Sequence, residues 1–168
     1  DVEVTVTYAA NDNTLTFEYN GATGGNTEAT RTVKTDAELG ELPVPTKTGY
    51  TFGGWYNEAN FATKVNATDK MPASDKTIYA KWTINEYTLT INYVYENKTE
   101  AADAYGAEVE YNAEYSVTSP VIAGYTASQV TVADTMPADD VEVTVTYKVN
   151  SYDLTINYEY EDGTEAAK

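Results

Sequence analysis

One stretch of the chain decides its organisation, because it occurs twice. It reads Leu89-Thr90-Ile91-Asn92-Tyr93-Val94-Tyr95-Glu96-Asn97-Lys98-Thr99-Glu100-Ala101-Ala102. The same stretch returns 65 residues later as Leu154-Thr155-Ile156-Asn157-Tyr158-Glu159-Tyr160-Glu161-Asp162-Gly163-Thr164-Glu165-Ala166-Ala167, with changes at three of the fourteen positions. So close a repeat indicates an array of small structural modules rather than one domain.

A second repeat sets the expected module boundaries. Residues 1–8 are identical to residues 140–147, which read Asp140-Val141-Glu142-Val143-Thr144-Val145-Thr146-Tyr147. We therefore expect residues 1–8 to be the last strand of a truncated preceding module, and residues 9–82 and 83–147 to form two modules. Residues 148–168 would then supply the first strands of a truncated following module.

The composition excludes several classes of function. The 168 residues include no Cys and no His, which removes disulfide frameworks, thiol nucleophiles, Ser/His pairs and ordinary zinc sites. A net charge of −17 argues against nucleic acid and against anionic membrane surfaces as partners. No stretch of consecutive apolar residues approaches the length of about 18 that a membrane-spanning helix needs. We expect no cofactor and no bound metal.

The residue pattern predicts a mainly β, α+β fold. Sixteen Tyr and abundant Thr favour strands, and residues 1–8 alternate apolar and polar side chains as a half-buried strand does. Each module is expected to contain a hairpin, a short helical turn and two further strands. A helical turn is predicted at residues 36–42, capped by Thr35 or Asp36, and a single helical or 3₁₀ turn at residues 112–115.

Two short motifs recur between the modules. Gly49-Tyr50-Thr51 returns as Gly124-Tyr125-Thr126, and Met71-Pro72-Ala73 returns as Met136-Pro137-Ala138. The two modules are therefore variants of one fold. The linkers, residues 83–86 and 148–151, are short and lack Gly, which predicts a semi-rigid string of modules.

Residues 42–56, closed by Thr77-Ile78-Tyr79-Ala80-Lys81-Trp82, resemble the Listeria–Bacteroides repeat, also called the internalin B-repeat. The resemblance covers most of residues 13–82. Residues 87–147 resemble the mucin-binding-protein (MucBP) repeat of Gram-positive surface proteins, with a Tyr-rich first strand, an acidic hairpin, a Gly-Tyr strand and an alternating last strand. These resemblances imply β-grasp-like modules in tandem. They also imply an extracellular bacterial protein, either attached to the cell wall or secreted.

Three aromatic residues are candidate ligand-binding groups. Trp55, Tyr56 and Trp82 could stack on sugar rings, but core packing is the favoured interpretation, because each lies in a strand pattern next to glycines and large aromatics dominate small cores. Catalysis is not expected, because neighbouring carboxylates such as Asp139-Asp140 point to opposite faces of a strand and cannot face each other across a cleft. Neither a Ca²⁺ site nor a Lys–Asn isopeptide bond can be placed from the sequence.

The sequence therefore favours structural and interaction repeat modules of a cell-surface adhesin, acting as a semi-rigid stalk. The alternative is a binding module for host or mucin glycans through exposed aromatic residues. An enzyme is not expected.

The matching terminal strands suggest head-to-tail self-association as well. Strand pairing between two molecules would involve two sets of alternating apolar residues: Val2, Val4 and Val6, and Leu154, Ile156 and Tyr158.

Overall fold

A computed structural model describes residues 1–167. The chain forms two compact units. Unit 1 comprises Asp1–Thr88, Glu108–Glu114 and Thr135–Val141, and unit 2 comprises Leu89–Ala107, Tyr115–Asp134 and residues from Glu142 onward.

Among the described residues all regular structure is β. The strands are β1 (Asp12–Glu18), β2 (Gly24–Gly25), β3 (Thr30–Lys34), β4 (Pro45–Thr46), β5 (Tyr50–Tyr56), β6 (Lys64–Val65), β7 (Lys76–Ile84), β8 (Glu86–Tyr95), β9 (Glu100–Glu110), β10 (Glu114–Thr118), β11 (Tyr125–Ala127), β12 (Thr131–Thr135), β13 (Val141–Val149), β14 (Tyr158–Glu159) and β15 (Glu165–Ala167). The mainly β prediction is confirmed.

Unit 1 is built on a five-stranded sheet in the order β3-β1-β7-β5-β6. Strands β1 and β7 run parallel, with Phe17 opposite Ile78, whereas β5 pairs with β7 antiparallel and places Trp55 opposite Ala80. Alternation along these strands sends one set of side chains inward. The buried core consists of Leu15, Phe17, Val33, Leu39, Trp55, Val65, Met71, Ile78 and Ala80.

A four-stranded sheet follows in the order β11-β13-β8-β9, together with a two-stranded ladder of β10 and β12. The buried apolar residues of unit 2 lie largely on these strands and are Leu89, Ile91, Tyr93, Val132, Val145 and Tyr147. The rings of Tyr93 and Tyr147 meet edge to face, with centroids 6.4 Å apart. Most of this core therefore comes from the Leu-x-Ile-x-Tyr and Val-x-Tyr alternations of β8 and β13.

The helical turn predicted at residues 36–42 is wrong. The backbone N–H of Asp36 donates to the carbonyl of Met71 at 2.9 Å, and the N–H of Met71 donates to the carbonyl of Ala37 at 2.9 Å. Asp36 and Gly40 also have positive φ angles, 63° and 78°. The Ala37 N–H makes one local turn bond, to the Lys34 carbonyl at 3.0 Å, but the N–H groups of Asp36, Leu39 and Gly40 donate to residues 67–71. These N–H groups are therefore not available for the local bonds of a helix.

The helical or 3₁₀ turn predicted at residues 112–115 is also absent: the Ala113 N–H makes a turn bond to the Glu110 carbonyl at 3.0 Å, but no helix follows it. Asn112 has φ 63°. Its N–H donates to the carbonyl of Met136 at 2.8 Å, and the N–H of Met136 donates to the carbonyl of Ala113 at 2.9 Å. No helix occurs in residues 1–167, so the β-grasp arrangement, which packs a helix on a sheet, is not supported.

The exchange of backbone hydrogen bonds at Met71 and Met136 explains why the Met-Pro-Ala motif recurs. Met71 and Met136 are 0% and 1% exposed. Each exchanges two backbone hydrogen bonds with a segment that contains a left-handed Asp or Asn. Asp and Asn tolerate this conformation better than most residues.

The half-buried strand predicted at residues 1–8 does not form. Residues 1–11 contain no strand, and Val2, Val4 and Val6 are exposed. A strand needs a neighbour to bond its backbone and cover one face, and residues 1–8 have none in this structure.

Lys98 provides a test of local strain. It has φ 67°, whereas the equivalent residue of the repeat, Gly163, has φ 80° at little steric cost. We predict that Lys98→Gly stabilises the protein by about 0.5–1 kcal/mol, because relief of the left-handed strain exceeds the added freedom of the unfolded chain. Urea unfolding measures the change.

Lys98→Ala is the matched control. It also removes the lysine side chain but keeps a Cβ, and so should not give this gain. An equal gain in both variants would show that strain at this turn is not the cause.

Candidate functional site

Trp55 is a core residue in this structure. It is 2% exposed, and its Nε1–H donates to the carbonyl of Pro43 at 2.8 Å. The rings of Phe17 and Tyr19 each lie 5.2 Å from it, in edge-to-face contact. This burial supports the packing interpretation of Trp55, because stacking on a sugar requires an open ring face.

Trp82, on β7, is half-buried. Its Nε1–H donates to the carbonyl of Tyr19 at 2.9 Å, and its ring lies 5.4 Å from that of Phe52. The ammonium nitrogen of Lys47 stands 5.9 Å from the Trp82 ring and 4.4 Å from the Tyr50 ring. The exposed part of Trp82 therefore borders a lysine held over aromatic rings.

Tyr56 follows Trp55 on β5, so its side chain points to the opposite face of the sheet. Its ring lies 5.7 Å from the ring of Phe61, and Lys81 Nζ stands 5.3 Å from the Tyr56 ring. Trp55 and Tyr56 consequently do not form one continuous aromatic platform.

Unit 2 contains a tyrosine-lined groove that the sequence analysis did not anticipate. The rings of Tyr95 and Tyr125 lie 4.7 Å apart at 50°. They border a groove of about 430 Å³, whose remaining lining residues are Glu96, Asn97, Thr99, Tyr147 and Val149. Tyr95 and Tyr125 are 30 positions apart, and no spacing signal joins them.

Asn97 and Glu96 supply the polar edge of this groove. Asn97 Oδ1 accepts hydrogen bonds from the N–H of Thr99 at 3.0 Å and from its hydroxyl at 2.6 Å. The Asn97 amide nitrogen is thus the group that can still donate to a ligand. Rings flanked by an amide donor and a carboxylate acceptor suit an uncharged hydroxyl-rich ligand.

The linker after β7 is held by Asn85, which lies in unit 1. Its N–H donates to the carbonyl of Gly49 at 2.9 Å, and the Thr51 hydroxyl donates to Asn85 Oδ1 at 2.6 Å. The N–H of Tyr111 donates to the Asn85 carbonyl at 2.9 Å. We call this arrangement of Asn85, Gly49 and Thr51 the Asn85 clamp.

The same arrangement occurs at the end of β13. The N–H of Asn150 donates to the carbonyl of Gly124 at 2.8 Å, and the Thr126 hydroxyl donates to Asn150 Oδ1 at 2.6 Å. The Asn150 amide also contacts the Tyr152 hydroxyl at 3.3 Å. A recurring Asn-x-Tyr after each last strand, together with the recurring Gly-Tyr-Thr, was the available sequence signal.

Gly49 is required for two reasons at the Asn85 clamp. Its φ is 74°, and a Cβ at this position would stand 2.1 Å from Cδ1 of Tyr111. The Tyr111 ring also meets the Tyr50 ring edge to face at 6.0 Å. Only glycine permits so close an approach of a ring to the backbone.

No group of three or more His, Cys, Asp or Glu residues in the described part of the chain could hold a metal ion. No helix within residues 1–167 is long and apolar enough to cross a membrane.

Unit 2 should lose stability at alkaline pH. Burial raises the pKa of Tyr147 and of Tyr93 above the ordinary value, and the Tyr147 hydroxyl donates to the Pro120 carbonyl at 2.5 Å. The folded chain therefore holds these protons more tightly than the unfolded chain. Their contribution is complete below about pH 10 and is lost as the pH rises through the raised values.

We expect urea unfolding to show this fall in stability above about pH 10. Tyr147→Phe should cost about 1 kcal/mol at neutral pH by removing the hydrogen bond. The variant should then lose less than the wild type on moving to alkaline pH. Parallel pH profiles of the two proteins would contradict the assignment to Tyr147.

Comparison with known proteins identifies two family segments. Residues 5–81 match the Listeria-Bacteroides repeat domain and residues 88–148 match the MucBP domain. Internalin H of Listeria monocytogenes is 52% identical over 62 residues, which are 36% of this chain and 11% of internalin H. The chain therefore aligns with about a tenth of that relative.

Among solved structures, Mub-RV aligns with 83% of this chain and 99% of its own, at 16% identity and a TM-score of 0.36. The type 2 repeat of the mucus binding protein MUB from Lactobacillus reuteri has the same coverage, 19% identity and a TM-score of 0.35.

Proposed function

We propose that this chain, which matches the Listeria-Bacteroides repeat domain at residues 5–81 and the MucBP domain at residues 88–148, serves as a semi-rigid stalk in a bacterial surface adhesin. In this role the modules hold a recognition domain away from the cell. The proposal places the chain outside the cell, secreted or attached to the wall.

The Asn85 clamp is the observation that carries the proposal. A stalk must transmit orientation from one module to the next, so its linkers must be bonded to a module rather than free. Strand β7 ends at Ile84 and β8 begins at Glu86, which leaves Asn85 as the only residue between them. That residue has its N–H, carbonyl and side-chain oxygen all engaged.

The recurrence of the arrangement at Asn150 supports the same role. A bond pattern used for one fortuitous contact would not be expected twice at equivalent positions. The Gly, Thr and Asn partners recur with distances that agree within 0.1 Å, 2.9 and 2.8 Å for the backbone bond and 2.6 Å for both hydroxyl bonds. The net charge of −17 adds repulsion between neighbouring stalks.

Spin-label distance measurements test the linker directly. The chain has no Cys, so Glu41→Cys with Glu110→Cys places two labels on exposed positions in unit 1, one in each family segment. We predict one narrow distance distribution for this pair. Asn85→Ala should broaden it, because the side-chain bond to Thr51 is lost.

Asn26→Ala is the matched control, since Asn26 is exposed and distant in sequence from the linker. It should leave the distribution unchanged. A broad distribution in the protein with intact Asn85 would refute the stalk proposal.

Glycan binding is a second candidate function, favoured by the groove between Tyr95 and Tyr125. Aromatic faces beside an amide donor and a carboxylate acceptor are suited to a sugar ring with its apolar face and hydroxyls. The charge of −17 and the carboxylate of Glu96 disfavour anionic sugars. The ligands favoured by this site are neutral glycans.

A glycan array with neutral, sialylated and sulfated members tests this candidate. We predict that neutral glycans bind and that Tyr125→Ala weakens binding about tenfold or more, which corresponds to about 1.4 kcal/mol. Tyr105→Ala is the control, because Tyr105 is a solvent-exposed tyrosine that lies outside the groove. Binding of sialylated glycans only, or equal loss in both variants, would exclude this site.

A further inference from the structure

We propose that unit 1 carries a binding site for a singly charged anionic sugar, centred on Lys64 and Lys81. The site, here called the lysine patch, comprises these two lysines and the rings of Tyr56 and Phe61. It recognises a carboxylate or a sulfate ester carried on a sugar ring. The inference depends neither on the stalk role nor on the tyrosine-lined groove of unit 2.

The lysine patch lies on the outer face of the five-stranded sheet. Tyr56 on β5 stands opposite Lys64 on β6 and opposite Tyr79 on β7. Residues directly opposite each other share a face, and Lys81 joins them because it is two positions beyond Tyr79 on the same strand. Trp55 points the other way, into the core. The patch therefore occupies the face opposite the core.

Both lysine side chains lie against the Gly53-Gly54 bulge of β5. A Cβ on Gly54 would stand 2.9 Å from Cε and 3.3 Å from Nζ of Lys64, and a Cβ on Gly53 would stand 3.5 Å from Cγ of Lys81. The register between β5 and β7 shifts at this point, and Gly54 has φ 105°. At Gly54 only glycine combines this backbone with room for Lys64. The bulge therefore holds two lysine side chains against adjacent residues of one strand.

Neither lysine is neutralised by a carboxylate. Within residues 1–167 the ion pairs involve other cations and are Arg31–Glu28, Lys34–Asp12 and Lys70–Glu38. The carboxylates of Glu18 and Glu58 in this region accept backbone N–H groups instead. Two neighbouring ammonium groups repel each other. An anion bound between Lys64 and Lys81 removes that cost, although the chain has 27 acidic residues and only 10 basic ones.

Phe61 adds a strained aromatic residue to the patch. Its φ is 58°, a left-handed conformation that bulky side chains rarely adopt. The turn is closed by the N–H of Phe61, which donates to the carbonyl of Glu58 at 2.9 Å. The ring lies 5.7 Å from the Tyr56 ring and 5.9 Å from Lys81 Nζ. Backbone strain of this kind clusters at ligand clamps and other functional sites, and here it places a ring beside an unpaired lysine.

The chemistry of the patch selects a single anionic group on an organic ring. Two ammonium groups supply charge-assisted hydrogen bonds to a carboxylate or a sulfate. The half-buried rings of Tyr56 and Phe61 offer apolar surface beside them. A polyanion is disfavoured, because the net charge of −17 repels it along the whole chain. A sugar with one carboxylate or one sulfate combines the single charge with an apolar ring face.

NMR titration of the isotope-labelled chain tests the proposal. The probes are methyl glucuronide and galactose sulfate, their neutral counterparts methyl glucoside and galactose, and acetate as an anion without a ring. We predict that one or both anionic sugars shift the amide signals of Gly53, Gly54 and Phe61. Acetate and the neutral sugars should bind at least about fivefold more weakly.

The two anionic probes identify the source of the charge. A response to the glucuronide alone assigns the site to acidic sugars, and a response to the sulfate alone assigns it to sulfated sugars. No shift at Gly53, Gly54 and Phe61 with either probe would overturn the proposal. Equal affinity for the neutral sugars or for acetate would also overturn it.

Lys64→Gln and Lys81→Gln each remove one ammonium group and keep a polar side chain. Each should weaken binding of the anionic sugar about tenfold. Lys76→Gln is the matched control, because Lys76 lies on β7 an odd number of positions before Lys81 and so faces the opposite side of the sheet. It should change the affinity less than about twofold. Equal loss in all three variants would show that overall charge, and not the patch, is responsible.

Phe61→Asn separates the ring from the charges. Asn tolerates a left-handed backbone, so the turn should remain folded while the ring is lost. The affinity for the anionic sugar should fall to that of acetate, and the affinity for acetate should stay the same. Unchanged affinity for the anionic sugar would overturn the assignment of Phe61 to the site.

Discussion

The hydrogen bonds of Asn85 are the constraint on which the proposed stalk depends. A β-strand cannot satisfy its backbone groups within itself, so each strand must hydrogen-bond to another segment. Backbone groups in a linker usually need no such partner, because water can hydrogen-bond to them. Here the one residue between β7 and β8 bonds Gly49, Thr51 and Tyr111, and the strand path continues from one module into the next.

Backbone hydrogen bonds between segments distant in sequence are also found inside each module. The buried side chains of Met71 and Met136 lie in segments whose backbones exchange hydrogen bonds with a left-handed turn. This exchange closes a long loop onto the sheet without a helix. It therefore takes the place that a helical turn would occupy in a β-grasp module.

The sequence predicted what depends on repetition and alternation, and missed what depends on long-range bonding. Strands such as β8 and β13 follow from the alternation of Leu89, Ile91 and Tyr93 and of the valines before Tyr147. The recurrence of the Met-Pro-Ala motif indicated a structural turn that the two modules share. Asp36-Ala37-Glu38 has local helical preference, which was overridden by backbone bonds to residues more than thirty positions away.

The candidate sites were harder to predict for a physical reason. An aromatic residue in a glycine-containing strand has the same pattern whether it packs a core or faces a ligand, so Trp55 could not be assigned before its burial was known. Asn85 was overlooked because a single Asn in a linker is typical of a turn. Tyr95 and Tyr125 meet only because the fold brings β8 and β11 to the same groove.

Amide hydrogen exchange of the folded chain is the most direct test of the clamped linker. The account predicts that the Asn85 amide exchanges nearly as slowly as that of Ile78 in the buried part of β7, and far more slowly than that of Thr5 in the unpaired residues 1–8. Exchange at Asn85 as fast as at Thr5 would show that the linker is open in solution. In that case the modules would be joined by a flexible hinge, and the stalk account would fail.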